Sequence, residues 1–189
     1  MSEREKIVSG IETEGLVAIV RVPRPELTLP LAKALVAGGI RAVELTMSIP
    51  NALDAVRTID RELGDKILLG VGTVIDDDTC RAAIDAGAKY VISPITRPSL
   101  VAAAHALDRP VMLGAYTPTE AQAAHEAGSD FVKVFPADTL GPSYIQSLLA
   151  PLPPTPAPRL HGSGGARVPP KTLILTATGT LGGYAVSLR

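Results

Sequence analysis

The sequence predicts an α/β protein in which helices surround a parallel β-sheet. Short apolar runs alternate with alanine-rich amphipathic stretches along most of the 189 residues. Three helical stretches end in an Ala-Gly pair shortly before the next apolar run, at Ala37-Gly38, Ala86-Gly87 and Ala127-Gly128. No GxGxxG motif follows the first strand, as a doubly wound dinucleotide-binding sheet would require. The short, regular repeat therefore favours a closed (β/α)8 TIM barrel.

Six apolar runs are predicted as strands because each is short, rich in aliphatic residues and bounded by turn residues. They are Leu16–Arg21, Ala42–Met47, Ile67–Val74, Tyr90–Pro94, Val111–Tyr116 and Phe131–Pro136. The stretches between them have the spacing of amphipathic helices. These are Pro25–Ala37 and, approximately, Asn51–Leu63, Asp77–Ala86, Pro98–Leu107 and Pro118–Ala127.

Composition and charge narrow the class of protein. The chain is 46% hydrophobic and 20% charged, which predicts one globular domain over residues 1–189. Its net charge is −1 without a basic block, so nucleic acid is not an expected partner. Cys80 is the only cysteine, which excludes an intrachain disulfide and suits the reducing cytoplasm. We find no signal peptide and no apolar segment long enough to cross a membrane, so we expect no membrane association.

Lys133 is the most unusual residue of the chain. It lies in the run Phe131–Pro136, where every neighbour is apolar. Burial of a cation is costly unless the charge is paired or used, and a lysine amine in such surroundings is a candidate nucleophile. The structural alternative is a side chain that extends from the strand end to pair with Glu44. The residues at the other strand ends favour the catalytic interpretation.

In a barrel of this kind, catalytic and binding residues lie at the C-terminal ends of the strands. The residues at these positions are Arg21, Glu44 with Thr46 and Ser48, Thr73, Ser93 with Pro94, Tyr116 with Thr117, and Lys133. Together they suit reactions of a ketone that also carries an acid group. A lysine can form an iminium with the ketone, a carboxylate can transfer protons, and a cation or hydroxyl groups can bind the acid group of the substrate. In the strand that contains Glu44, the alternation of side chains places it on the same face as Thr46.

Each of these assignments also has a structural alternative. Glu44 can be only a counter-ion for Lys133, and Arg21 only a solvated strand end. Thr73 favours β structure by itself, although Gly72 before it allows a close approach of backbone or ligand.

The sequence predicts no metal site and no cofactor. His105, His125 and His161 fall on helices or loops without the spacing of metal ligands. The acidic run Asp76–Asp78 is better explained as the N-terminal cap of a helix, where negative charge interacts favourably with the helix dipole.

Several segments resemble, in order and spacing, the KDPG/KHG aldolase family, which comprises 2-dehydro-3-deoxy-phosphogluconate aldolase and 4-hydroxy-2-oxoglutarate aldolase. They are VAIVR at 17–21, AGGIRAVELTM at 37–47, LGVGTV at 69–74, AGAKYVISP at 86–94 and FVKVFPA at 131–137. The resemblance covers about residues 10 to 150. It implies a metal-independent class I aldolase, a carbon–carbon lyase on a (β/α)8 barrel that is usually a homotrimer and acts on a small 2-oxo acid.

The resemblance also implies roles for individual residues. Lys133 matches the Schiff-base lysine and Glu44 the general acid/base. Thr73 matches a residue that contacts bound pyruvate, while Arg21 and Pro94 match positions that line the pocket. The implied reaction is the reversible cleavage of a 4-hydroxy-2-oxo acid, such as 2-dehydro-3-deoxy-6-phosphogluconate or 4-hydroxy-2-oxoglutarate, to pyruvate and an aldehyde.

The chain departs from the family pattern at Ser48, where many members carry an arginine that helps to hold the substrate. A hydroxyl group makes a weaker, uncharged contact, so the sequence does not decide which substrate is used or whether it is phosphorylated. Two other functions remain as alternatives. One is a different phosphate-binding barrel enzyme, such as an epimerase, and the other is a non-catalytic or impaired barrel protein with an altered C-terminus.

Residues 151–189 form an atypical C-terminal segment that begins with a proline-rich stretch. The family places a Gly-rich phosphate loop after the next strand, and Leu160–Gly165 resembles part of it. The backbone amides of Gly164 and Gly165 are therefore candidate phosphate ligands, with a flexible turn as the alternative. Leu173–Thr176 has strand character, but Ala166–Arg189 does not match the family. Whether the last units of the barrel are complete is left open.

Overall fold

The computed structural model describes residues 1–137, 144, 147–148, 160–162 and 173–177. The strands are β1 (Leu16–Val20), β2 (Ala42–Thr46), β3 (Leu68–Gly72), β4 (Tyr90–Ile92), β5 (Val111–Ala115), β6 (Phe131–Val134), β7 (Leu160–Gly162) and β8 (Leu173–Ala177). The helices with described bounds are α1 (Glu3–Glu14), α2 (Thr28–Ala37), α3 (Ala52–Leu63), α4 (Asp77–Asp85), α5 (Ser99–His105) and α6 (Pro118–Glu126). Short 3-10 turns at Pro25–Leu27 and Gly64–Lys66 precede α2 and follow α3.

The strands form one parallel sheet in the order β7-β6-β5-β4-β3-β2-β1-β8. Backbone hydrogen bonds join β8 to β1 at one edge and β7 to β6 at the other. The sheet is curled, because Cα atoms of the two edge strands approach within 8 Å of each other. This arrangement confirms the predicted α/β class with a parallel sheet. It also adds two strands, β7 and β8, beyond the six apolar runs, and β8 contains the predicted strand Leu173–Thr176.

The predicted strands and helices are present, but the strands end one or two residues earlier than predicted. β3 ends at Gly72 instead of Val74 because Thr73 has φ 65°, which is not extended backbone. β4 ends at Ile92, two residues before Pro94, which has no N–H to donate to a neighbouring strand. Asp76 caps α4 by accepting a hydrogen bond from the Thr79 N–H at 2.7 Å, which confirms the interpretation of the acidic run as a helix cap.

The N-terminal helix α1 was not predicted. It begins with a capping box, in which the Ser2 hydroxyl accepts from the Glu5 N–H at 3.1 Å and the Glu5 carboxylate accepts from the Ser2 N–H at 2.7 Å. The Ser-x-x-Glu spacing was the sequence signal for this helix. Its apolar residues Ile7, Val8 and Ile11 are buried.

The sheet separates two hydrophobic clusters. The larger one lies between the strands and the surrounding helices and includes Val43, Leu45 and Val132. The smaller one fills the inside of the curled sheet, where α1 packs against residues from six strands. Its strand members are Val17, Ile19, Ala42, Leu68, Tyr90, Ile92, Met112 and Phe131. Because side chains alternate along a strand, every second residue from Ala42 or Phe131 also points inward.

Gly164 and Gly165 lie outside the described residues, as do most other residues of the 151–189 segment. Within the part of the chain that the structure describes, no helix has the length and apolar character needed to cross a membrane.

Candidate active site

Glu44 and Lys133 meet inside the curled sheet. Glu44 is two residues after the inward-facing Ala42 on β2, and Lys133 is two residues after the inward-facing Phe131 on β6. Three strands separate β2 from β6 in the sheet, so the curvature of the sheet brings the two side chains together. Lys133 Nζ lies 3.8 Å from Glu44 Oε2, and the two residues are 5% and 1% exposed.

The buried pair is an ion pair rather than a direct hydrogen bond, since 3.8 Å exceeds hydrogen-bonding distance. Glu44 Oε2 has no hydrogen-bond partner among the described residues. Burial raises the pKa of Glu44, while the positive charges of Lys133 and Arg21 act in the opposite direction and only partly offset this rise. A carboxyl group with a raised pKa can take up and release a proton closer to neutral pH than an exposed glutamate.

Two glycines allow close approaches around the pair: Gly72 admits the Glu44 carboxylate, and Gly114 admits the backbone at Pro94. A Cβ atom on Gly72 of β3 would overlap Glu44 Oε1 and would lie 2.7 Å from Glu44 Cγ. Gly114 of β5 is the register partner of Lys133, and a Cβ atom there would overlap the Pro94 carbonyl group and lie 2.7 Å from the Ile95 nitrogen. The close approach expected at Gly72 is therefore made by the Glu44 carboxylate.

The segment after β4 folds over the end of β5, beside Lys133. The Gly114 N–H donates to the Ile95 carbonyl at 3.2 Å, and the Thr96 hydroxyl donates to the Gly114 carbonyl at 2.7 Å. These bonds hold half-buried Pro94 near the lysine's strand. On the other side, Lys133 Nζ lies 5.2 Å from the centre of the Phe135 ring, a favourable cation–π distance.

The remaining predicted residues lie where their strands end. Thr73 follows β3 and is half-buried, and its φ of 65° is a strained conformation of the kind found at binding sites. Ser48 is exposed, and its Oγ lies 2.8 Å from the Oγ1 of Thr46, which is fully buried on the Glu44 side of β2. Arg21 follows β1 and is exposed, yet its charge still acts on Glu44.

Sequence reasoning missed Tyr90 as a component of this site. Its side chain is fully buried in the inner cluster, and its ring occupies the space above Gly70 that a Cβ atom there would fill. The available signal was the alternation of Tyr90 and Ile92 on one face of β4, opposite the glycines of β3. No group of three or more His, Cys, Asp or Glu side chains in the described residues is arranged to hold a metal ion.

The raised pKa of Glu44 predicts a pH-dependent effect of Glu44→Gln on stability. Because folding raises this pKa above its ordinary value of 4.5, the associated stability is present below pH 4.5 and is lost as pH rises through the folded pKa. Glutamine does not titrate. The wild type should therefore lose stability relative to the variant as pH rises above 4.5. The unfolding free energy of the variant minus that of the wild type should increase, and it should level off above the folded pKa of Glu44. Urea denaturation across this pH range measures the difference, and a constant or decreasing difference would contradict the assignment.

The fold and the buried Lys–Glu pair define a parallel α/β protein with groups suited to carbonyl chemistry. The family model for KDPG and KHG aldolase matches residues 7–167, and the chain belongs to this family. The match is longer than the resemblance over residues 10 to 150, and it includes Gly164 and Gly165. Residues 168–189 lie outside it.

Individual relatives are named as aldolases, which are carbon–carbon lyases. The chain is 38% identical over 144 residues to the 2-dehydro-3-deoxy-phosphogluconate aldolase of Treponema pallidum (strain Nichols), covering 76% of this chain and 68% of that protein. It is 37% identical over 134 residues to the KHG/KDPG aldolase of Escherichia coli (strain K12), covering 70% and 62%. The chain thus spans about two thirds of the length of the curated relatives that it matches.

A solved structure shows the same fold. The KDPG aldolase of Legionella pneumophila, determined with pyruvate captured as a covalent carbinolamine intermediate, superposes with a TM-score of 0.78. The superposition covers 90% of this chain and 85% of that one, at 24% sequence identity. At this identity the likeness concerns the fold alone.

Proposed function

We propose that this protein is a class I aldolase that reversibly cleaves a 4-hydroxy-2-oxo acid to pyruvate and an aldehyde. The observation that carries the proposal is the contact of 3.8 Å between Lys133 Nζ and Glu44 Oε2 inside the sheet of a chain from this family. Lys133 is the nucleophile and Glu44 is the general acid/base.

The reaction starts with attack of the Lys133 amine on the C2 ketone of the substrate. Loss of water from the resulting carbinolamine gives an iminium. Glu44 then accepts the proton of the C4 hydroxyl through a water molecule, while the electrons of the C3–C4 bond move into the iminium and form an enamine. The aldehyde leaves, C3 is protonated, and hydrolysis of the new iminium releases pyruvate and the free amine. The iminium accepts the bond electrons, so the sequence needs no external oxidant, reductant or metal.

The raised pKa of Glu44 supports its role as the proton carrier. The carboxylate must be basic enough to take a proton from a hydroxyl group, yet must return it later in the cycle. A glutamate used only as a counter-ion would be best placed in direct hydrogen-bonding contact with the ammonium. The distance of 3.8 Å, and the lack of a hydrogen bond to Oε2 from the residues that the structure describes, instead leave this oxygen available to the reacting groups.

The residues at the strand ends are proposed to hold the substrate. Thr73 and Pro94 contact the pyruvate part, and Arg21 attracts the carboxylate. Ser48, hydrogen-bonded to Thr46, offers the substrate an uncharged hydroxyl. Relatives of the chain are named for the phosphorylated acid KDPG and for the unphosphorylated acid KHG. We propose substrates of this class, with Gly164 and Gly165 as the phosphate ligands when the substrate is phosphorylated.

We also propose that the whole chain is one closed barrel domain. The close approach of β7 and β8 supports closure of the eight strands into a (β/α)8 barrel within one domain, residues 1–189. As in the family that it resembles, the protein would act as a homotrimer in the cytoplasm without a cofactor.

Borohydride trapping tests the proposed function directly. The protein is incubated with pyruvate and sodium borohydride, and the modified peptide is identified by mass spectrometry. We expect a reduced pyruvyl group on Lys133 and none on surface lysines such as Lys33, because an iminium needs a nucleophilic amine in a pocket that binds the ketoacid. Borohydride without pyruvate is the control. Folded protein that forms no adduct at Lys133 would favour the non-catalytic alternative.

A further inference from the structure

The phenol of Tyr90 is a buried polar group to which no residue in the described part of the chain forms a hydrogen bond. The residue is 0% exposed, and its hydroxyl makes no hydrogen bond to any described residue. A phenylalanine would fill the same space in the inner cluster without a polar atom. A buried hydroxyl that is left unpaired destabilises the folded protein, so its presence here requires a partner.

Two glycines of β3 place the phenol beside Glu44. Gly70 and Gly72 lie on the same face of the strand, two residues and therefore about 6.6 Å apart. The Tyr90 ring covers Gly70, and the Glu44 carboxylate covers Gly72. Gly70 is also the register partner of both Glu44 on β2 and Tyr90 on β4. The two side chains are thus neighbours on the inner face of the sheet.

We infer that one internal water molecule links the Tyr90 hydroxyl to Glu44 Oε2, and that Tyr90 is thereby a positioning residue for the proton of Glu44. Both oxygens are buried, neither has a hydrogen-bond partner among the described residues, and neither bonds the other directly. A buried water takes two to four polar partners of this type. The phenol donates to the water and the water donates to the carboxylate, with Lys133 Nζ as a third polar neighbour.

The charges around Glu44 are consistent with this direction of donation. Glu44 faces Lys133 on β6, Arg21 after β1 and Tyr90 on β4. Burial, together with the nearby charge of Glu44, raises the pKa of the Tyr90 phenol. The phenol therefore keeps its proton and remains a donor while Glu44 is ionised. A donor to the carboxylate stabilises its charged form, so loss of the phenol should raise the pKa of Glu44.

The test is Tyr90→Phe, which removes one oxygen and keeps the ring. The titration of Glu44 is followed by NMR of its carboxyl carbon in ¹³C-glutamate-labelled protein, with the resonance assigned from Glu44→Gln. We expect the midpoint to move to higher pH in Tyr90→Phe. The catalytic consequence rests on the proposed function: exchange of the pyruvate methyl protons in D₂O should slow by up to about tenfold, with its pH profile displaced in the same direction.

Tyr144→Phe is the matched control. The Tyr144 phenol donates to the carbonyl of Tyr116 and packs on the helix side of the sheet, so its removal should leave the Glu44 midpoint unchanged. A second measurement uses the wild-type protein. The ring carbon that bears the Tyr90 hydroxyl should show a chemical-shift change at the Glu44 midpoint, and this change should be absent from Glu44→Gln.

The inference is overturned if Tyr90→Phe leaves the Glu44 midpoint in place, or if the Tyr90 carbon does not respond to the Glu44 titration. If Tyr90→Phe left the Glu44 midpoint unchanged but raised the melting temperature, the phenol would be buried without any hydrogen bond. Its removal would then stabilise the protein by avoiding the desolvation cost. Failure of the proposed function looks different. The Tyr90 carbon would then respond to the titration of Glu44 as expected, but pyruvate and borohydride would leave Lys133 unmodified.

Discussion

Replacement of Lys133 by methionine should abolish both borohydride trapping and exchange of the pyruvate methyl protons. In the proposed mechanism, exchange requires the enamine, and the enamine requires a covalent bond from the Lys133 amine to C2 of pyruvate. No other described lysine shares the inner face of the sheet. We expect a loss of at least about 10³-fold in the exchange rate, because removal of a nucleophile eliminates the covalent route. Exchange is measured by proton NMR in D₂O and needs no assumption about the aldehyde.

The fold should tolerate this substitution. Methionine has a similar length and suits the apolar neighbours of Lys133 in β6. Loss of the cation leaves Glu44 without its main charge partner, but burial already favours the neutral carboxyl group. Lys33→Met is the control, since Lys33 is half exposed on α2, and its 3.5 Å ion pair with Glu62 lies on the surface. Exchange that persists in Lys133→Met would exclude this lysine as the nucleophile.

Replacement of Gly72 by alanine should reduce exchange by about 10²-fold without any change in a reacting group. The new methyl group would overlap Glu44 Oε1, so the carboxylate must rotate away from its place beside Lys133. A displacement of about 1 Å in a catalytic group is sufficient for a loss of this size. Overpacking in the buried site should also destabilise the protein by about 1–3 kcal/mol, measured by urea denaturation.

Two controls separate the steric effect at Gly72 from other causes. Gly38→Ala adds the same methyl group at the end of α2, where φ is −82° and the nearest atoms lie 3.4 Å away, so activity should be retained. In Gly72→Ala combined with Glu44→Ala, the overlap is removed, and stability should recover while exchange remains low. A fully active Gly72→Ala would show that Glu44 does not need its observed position.

Much of the fold follows from local patterns. Short aliphatic strands separated by amphipathic helices predicted the parallel sheet, and the structure confirms six predicted strands in sequential order. Helix α1 was predictable from the capping box of Ser2 and Glu5 but is only weakly amphipathic, so periodicity did not indicate it. The strand ends were less predictable. Backbone conformation, as at Thr73, decides where an apolar run stops being a strand.

The candidate site was predicted in part. Lys133 was conspicuous because a cation in an apolar strand violates the usual pattern of burial, and alternation placed Glu44 on one face of its strand. Tyr90 was not conspicuous, since an aromatic residue in a buried strand is ordinary. Its proposed role depends on a hydroxyl that forms no hydrogen bond to a described residue, and whether a hydroxyl is paired is a property of the surrounding atoms.

By itself, the sequence determined the α/β class, the order of the strands and the identity of the residues that carry the proposed chemistry. These properties depend on residue type and on periodicity along the chain, both of which are local. Only the tertiary structure decided that Glu44 and Lys133, 89 positions apart in the numbering and separated by three strands of the sheet, lie 3.8 Å from each other. Curvature of the sheet and the missing side chain of Gly72, whose place the Glu44 carboxylate occupies, create that contact. They act through space, between residues that no local pattern connects.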